Sequence, residues 1–243
     1  VQTLNFIEKV KPDVVVHCAA YTAVDRAEDE KEKCYAVNVI GTENIAIACK
    51  NVDAKMIYIS TDYVFDGSGE VPFDENADIN PINYYGFTKA EGEKIVKSIL
   101  ENFFIIRTSW VFGVNGNNFV KTMLKLAETR SEIRVVDDQI GSPTFTEDLA
   151  IVICDILQTN RYGVYHGTNE CFCSWYEFAC EIFRLAGKNV RVIPIASEEY
   201  PTKAKRPKNS KLSKGMLDKN GFHRLPSWQD ALGRFMGKIG IGR

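Results

Sequence analysis

Three short, almost uninterrupted apolar runs separate segments of helical period, and that alternation most constrains what the chain can become. "DVVVHCAA" (13–20), "KMIYIST" (55–61) and "FFIIRTSWVFG" (103–113) are strand-length, and apolar on consecutive residues rather than alternate ones. Such a run predicts a strand covered on both faces. Between them, residues 27–50 place Val37, Ile40, Ile45 and Ala48 at helical spacing, and a second helix is predicted from Tyr84 to about Leu100. "NNFVKTMLKLAE" (117–128), the strand "IRVVDD" and the helix "FTEDLAIVICDILQ" continue the alternation. Beyond "YGVYHGT" (162–168) the pattern loosens, with helices near 174–186 and 227–236. Strands and helices in turn mean βαβ units, hence an α/β fold with a doubly wound parallel sheet.

In such sheets ligands sit beyond the carboxyl ends of the strands. The exits at 19–22, 61–63 and 109–113 are therefore the places for chemistry, and they carry hydroxyls and aromatics rather than plain turn residues. Residues 62–83, with Gly67, Gly69, Pro72 and Pro81, form a long loop, and loops of that length inside a compact fold are usually functional.

Bulk properties exclude several classes. A net charge of −2 gives no field to attract nucleic acid or an anionic membrane. No apolar run nears the roughly 20 residues that span a bilayer, and no secretory leader pattern opens the sequence. Seven cysteines, an odd number without a CxxC pair, suit a reducing cytoplasm. Cys18, Cys34, Cys49, Cys154 and Cys180 lie in apolar stretches and are expected to be small buried hydrophobes. His17, His166 and His223 are scattered, so no metal site is expected.

The chemistry-bearing stretch is "NYYGFTKAEGEK" (83–94), where Tyr85, unlike Tyr84, has a lysine four residues on. On a helix, Tyr85 and Lys89 share a face. A free phenol ionises near 10, so acid–base work near neutrality asks for about 4 kcal/mol of help, which a nearby cation in a desolvated site can supply. A tyrosine and lysine at this spacing also arise by chance about once per chain of this composition. "YISTDYVFDG" (58–67) adds Ser60, Thr61, Asp62 and Tyr63 at a strand exit, where a hydroxyl can bond a substrate carbonyl while Tyr85 delivers the proton. Thr61 and Asp62 equally suit the capping of a turn.

Taken in order, "HCAAYTAVDRAE", "NVIGT", "YISTDYVFDG", "YGFTKAEGE", "RTSWVFG", "NNFVKTM" and "RPKNSKL" resemble the extended short-chain dehydrogenase/reductase superfamily, and within it the dTDP-4-dehydrorhamnose reductase family. The resemblance implies a Rossmann-type sheet, a dinucleotide-binding part over 1–112 with a return contribution from about 132–158, and a mainly substrate-binding part over 113–243. It implies NADPH or NADH as cofactor and a dTDP-linked 4-keto-6-deoxy sugar as substrate, in surface polysaccharide synthesis, with a homodimer left open. By the same likeness Tyr85 protonates the C4 oxygen, Lys89 lowers the Tyr85 pKa and holds the nicotinamide ribose, and Thr61 polarises the ketone. Ala19, Ala20, Tyr21, Thr22 and Ser60 would line the cofactor. Asp62, Tyr63, Trp110, Asn118 and Arg206 would line the substrate, with Asn209 a further candidate beside Arg206. Asn38, in "NVIGT", is expected to be a structural helix residue.

Neighbouring families separate at the strand end: 4,6-dehydratases follow the threonine with Asp-Glu, whereas Asp62 here precedes Tyr63, and sugar 4-epimerases carry a different pattern. Two alternatives remain open: a non-catalytic relative like the methionine adenosyltransferase β subunit, and a reductase of another nucleotide-linked 4-keto sugar. The family's opening GxxGxxG turn, a phosphate cradle, has no counterpart in this sequence; "GVNG" (113–116) and "GKIGIGR" (237–243) stand in the wrong places. A βαβ unit of roughly 30 residues or more is accordingly expected upstream of Val1.

Overall fold

The structure, a computed structural model, describes residues 2–241; Val1 and the last two residues of the "GKIGIGR" stretch lie outside. Its first half runs α1 (Gln2–Val10), β1 (Val14–His17), α2 (Val24–Ala27), α3 (Lys31–Tyr35), α4 (Gly41–Val52), β2 (Lys55–Thr61), α5 (Tyr84–Ile99) and β3 (Phe103–Thr108). The second half runs β4 (Val111–Phe112), α6 (Phe119–Leu126), β5 (Glu132–Val136), β6 (Ile140–Gly141), β7 (Thr144–Phe145), α7 (Thr146–Leu157) and β8 (Gly163–His166). Then come β9 (Cys173–Ser174), α8 (Trp175–Leu185), β10 (Arg191–Ile195), α9 (Gly215–Lys219) and α10 (Trp228–Lys238).

Strands β1, β2, β3 and β8 form one parallel sheet in that order. Side chains alternate across a strand, so "KMIYI" packs on both faces of the sheet at once. Met56 and Tyr58 face α1, α4 and α5 with Ile45, Val96 and Ile105. Ile57 faces α7 and α9 with Phe104, Ile106, Leu149 and Leu217. This double burial is why the strands read as continuous apolar runs. Each buried aliphatic or aromatic side chain stabilises the fold by about 1.5–3 kcal/mol.

A second core gathers Phe112, Phe145, Phe178 and Phe235 among α6, α8 and α10. Strand β5 pairs with β10 in a separate two-stranded sheet. Of the return segment expected from 132–158, α7 therefore packs on the main sheet and β5 does not. The strand that does return is β8.

Two predicted elements are shorter or more broken than the sequence suggests. "DVVVHCAA" is strand only over Val14–His17. The predicted helix from 27 to 50 comprises α3 and α4 joined by a π turn, Ala36–Ile40. Cys18 and Cys154 are exposed and Cys180 is half-buried, which corrects the expectation of burial; all seven thiols are free. The apolar neighbours of Cys154 sit on a helix with an open outer face, where Ile151 is exposed as well. No helix among the described residues is long and apolar enough to cross a membrane.

Candidate active site

Register levels the sheet's carboxyl rim. Thr61, the last residue of β2, pairs with Thr108, the last of β3. Beyond Thr61 the chain turns through Asp62–Val64, with the Thr61 hydroxyl accepting from the Tyr63 N–H at 3.2 Å and donating to Asp62 Oδ1 at 2.9 Å. The turn-capping role weighed for Thr61 and Asp62 is thus real, and it also fixes the hydroxyl at the rim.

Helix α5 is aimed at this point by its start. Asn83 caps it, its side chain accepting from the Gly86 N–H at 2.8 Å. A Cβ at Gly86 would stand 2.1 Å from the Tyr63 carbonyl oxygen, so only glycine lets the helix tip press onto the turn after β2. Nearly two turns further, a Cβ at Gly92 would stand 2.2 Å from the Tyr58 hydroxyl oxygen. These two contacts place Tyr85 against Thr61 and, edge-on at 5.9 Å, against Tyr63. Tyr84 points the other way, beside Phe87 and under the Lys31 ammonium.

Tyr85 meets Thr61 and the charge of Asp62 at this rim. Burial, and then the charge of Asp62, drive its phenol well above the usual range; contact with Thr61 is the one influence favouring ionisation. Neighbouring Cβ atoms on a helix face do not fix where a four-carbon stem ends. Lys89 carries its ammonium to the face of Tyr58, 3.9 Å from the ring centroid.

Lys89 is only 2% exposed, and burial, partly offset by Glu93, lowers its pKa to about 7. Its ammonium has neither a hydrogen-bond acceptor nor a salt-bridge partner among the described residues. Buried charges are ordinarily paired, so these three donors fit a ligand that brings oxygens, such as the hydroxyls of a ribose. Asp62 is similarly unfinished: its Oδ2 is buried without a partner, and burial raises its pKa to about 6 despite help from Ser210 and Thr61.

Around this pair the structure builds supports that the sequence reading did not assemble. Asn38, in the π turn, accepts from the Tyr21 N–H at 2.7 Å and donates to the Tyr21 carbonyl at 3.2 Å and the Thr88 hydroxyl at 3.0 Å. It clamps the exit of β1 to α5. π turns recur at functional sites. Glu93 takes a two-pronged grip from Arg107, at 2.9 and 2.7 Å, and a bond from Ser60 at 2.6 Å, all buried. Arg107 reaches on to the Glu75 carbonyl at 3.2 Å and lies beside His166. A signal existed: a lone arginine inside "FFIIRT" needs a buried partner, and Glu93 lies on the Lys89 face of α5 at the same four-residue step.

The remaining sequence candidates divide. Ala20 and Tyr21 follow β1 as expected, with Ala19 and Thr22 exposed at the same exit. Ser60 donates its hydroxyl to Glu93 at 2.6 Å. Asn118 caps α6, accepting from Lys121 N–H at 3.1 Å and donating to the Gly113 carbonyl at 2.8 Å. Arg206 grips Asp25 at 3.1 and 2.7 Å, so its planar fork is spent within the chain. Asn209 ties residues 68 and 71 of the long loop through their carbonyls. Trp110 lies just past β3, stacked on Trp175 with centroids 3.6 Å apart. No group of three or more metal-ligating side chains is found among the described residues.

Comparison with known proteins bears on this geometry. A family model described as the RmlD substrate binding domain matches residues 1–240. The chain is 43% identical over 226 residues to the spore coat polysaccharide biosynthesis protein SpsK of Bacillus subtilis, covering 93% of this chain and 79% of that protein. It is 43% identical to a dTDP-4-dehydrorhamnose reductase of Aggregatibacter actinomycetemcomitans over 241 residues, covering 94% and 82%. A crystal structure of dTDP-4-dehydrorhamnose reductase from Bacillus anthracis in complex with NADP superposes with a TM-score of 0.96 at 47% identity, covering 98% of this chain and 84% of that one.

Proposed function

The chain belongs to the RmlD substrate binding domain family, and from that premise we propose that it reduces the C4 ketone of dTDP-4-dehydro-L-rhamnose to dTDP-L-rhamnose. The reaction uses NADPH or NADH and serves surface polysaccharide synthesis. The single observation that carries the reading is the pairing, one helical turn apart at the sheet rim, of a half-buried protonated tyrosine against Thr61 with a buried lysine lacking an acceptor among the described residues.

When bound, the reduced nicotinamide supplies the hydride that adds to C4. Lys89 holds the cofactor through donors that no protein atom occupies, and the residues at 19–22 flank it. Tyr85 gives its phenolic proton to the C4 oxygen. A phenol kept protonated by burial and by Asp62 suits a donor in this direction. The oxygen becomes an alkoxide as carbon is reduced, about as basic as hydroxide (~15.7 for bulk water). Proton transfer from a phenol, ordinarily near 10, therefore runs downhill even when its pKa is raised. No lowering by Lys89 is required. Thr61 turns its one hydroxyl proton from Asp62 Oδ1 to the same oxygen, while Asp62, Tyr63 and Trp110 hold the sugar. We read the sheet built on β1, β2 and β3 as the cofactor part and the aromatic core of the second half as the substrate part.

The test is NADPH oxidation on addition of dTDP-4-dehydro-L-rhamnose. Tyr85→Phe should lower kcat by about 10²–10⁴-fold, the usual worth of a positioned proton donor, with nucleotide-sugar affinity retained. A protein that binds NADPH but does not oxidise it, as the regulatory-subunit alternative requires, would sink the proposal; so would full turnover by Tyr85→Phe.

A further inference from the structure

Trp110 adopts φ +49°, a left-handed backbone that strains any residue with a side chain. Such strain persists only where the surroundings over-determine it, and it concentrates at ligand clamps. Three devices hold Trp110 there. Its carbonyl accepts from the Thr144 N–H at 3.2 Å. Gly141 makes room, since a Cβ at that position would stand 2.8 Å from the indole. Trp175 lies flat against the ring, with centroids 3.6 Å apart and planes 13° from parallel.

Trp175 is itself immobilised. It opens α8 directly after Ser174, whose capping box with Glu177 fixes the helix start and whose hydroxyl donates to Asp137 at 2.5 Å. Strand β9 pairs with β6, setting Cys173 against Gly141 and so locking the support to the slot that admits the indole. Behind it Phe119 packs at 4.6 Å. Both indoles stay only partly buried at the edge of the second core.

We infer that Trp175 is a positioning residue for the sugar site: it touches no ligand, and through the stack it sets the angle at which Trp110 presents its indole to the substrate. This rests on the reading of Trp110 as a substrate wall. A flat apolar ring is a fit partner for the apolar face of a deoxy sugar only at one orientation. Removing the support leaves the indole free to follow the relaxed backbone, and the sugar loses its wall while the cofactor, held from Lys89 and the β1 exit, does not.

The experiment compares Trp110→Ala, Trp175→Ala and Trp175→Phe in steady-state kinetics, with NADPH affinity and thermal stability measured on each. Trp175→Ala should raise KM for the nucleotide sugar about tenfold, more than it lowers kcat, an aromatic pair being worth about that much. NADPH affinity should stay at the parent value, and Trp175→Phe, which keeps a ring face, should recover most of the KM. If Trp110→Ala raises KM and Trp175→Ala does not, the positioning role is wrong and the substrate wall stands. If Trp110→Ala leaves KM alone, the wall itself is wrong. Parallel losses in sugar affinity, NADPH affinity and stability, without recovery in Trp175→Phe, would mark Trp175 as part of the core only and overturn the inference.

Discussion

Two successive turns of α5 treat buried charge in opposite ways. Glu93 is fully buried, and burial alone would push its pKa up. Arg107, Ser60 and Lys97 more than offset this and hold its carboxyl below the usual range. Lys89, four residues earlier and nearly as buried, meets an aromatic face and no acceptor, and its pKa falls to about 7. Helix, face and depth are shared; only the partners differ. The finished turn holds α5 to β2 and β3, whereas the unfinished one keeps its hydrogen-bonding capacity for a ligand. A buried charge that the fold does not answer costs stability, so the contrast marks where function opposes stability within one helix.

The sharpest way to break the contrast is Lys89→Met. A drop in pKa from 10.5 to about 7 corresponds to roughly 4–5 kcal/mol against the folded state wherever the amine is charged. Between these values the folded protein has released a proton that the unfolded chain still holds, so stability rises with pH across that window. Lys89→Met should therefore be more stable than the parent at about pH 6 and lose most of that advantage by about pH 10, with NADPH affinity reduced at both. Denaturant midpoints across pH check it. A variant less stable at low pH would mean that the ammonium is answered within the protein.

The finished turn should behave with the opposite sign. Arg107→Met leaves the buried Glu93 charge with only Ser60 and the longer Lys97 contact and should cost about 3–5 kcal/mol in urea unfolding. Adding Glu93→Leu should restore much of the loss, because an apolar pair of similar volume replaces both ions without desolvation. If the double variant is as unstable as Arg107→Met, the contacts of Arg107 to the Glu75 carbonyl and His166 carry more than the ion pair does.

Much of this was legible beforehand, for identifiable reasons. "KMIYIST" announced a doubly covered strand because both of its faces meet cores, and β2 spans those residues. Helix α5 begins at Tyr84 as predicted, since Asn83 is a local capping signal. The π turn at 36–40 was not legible, because its apolar spacing continues the helical one and the irregularity comes from Asn38 bonding across to Tyr21 and Thr88. Spacing put Tyr85 and Lys89 on one face, but the direction of a long stem depends on Tyr58, which is distant in sequence. For the same reason Arg206 looked available, its partner Asp25 being distant in sequence, whereas the capping of α6 by Asn118 is a local signal that the sequence carries.

Asp62 offers the smallest effect and the finest test of the contrast, because it is half answered: Thr61 and Ser210 engage it while Oδ2 has no partner. Burial raises its pKa from 3.8 to about 6. Within that window the folded state holds a proton that the unfolded chain has lost, so stability falls as pH rises, by roughly 3 kcal/mol in all, and stays lower above it. Asp62→Asn keeps an acceptor for the Thr61 hydroxyl and removes the charge. Its advantage over the parent should be absent near pH 4, grow to at most about 3 kcal/mol by about pH 7, and level off there. The same substitution removes the charge that helps keep the Tyr85 phenol protonated, so sugar binding and the alkaline arm of the kcat profile should both shift. A flat stability difference across that range would show Oδ2 satisfied within the fold, and Asp62 would then belong with Glu93 among the finished charges rather than with Lys89.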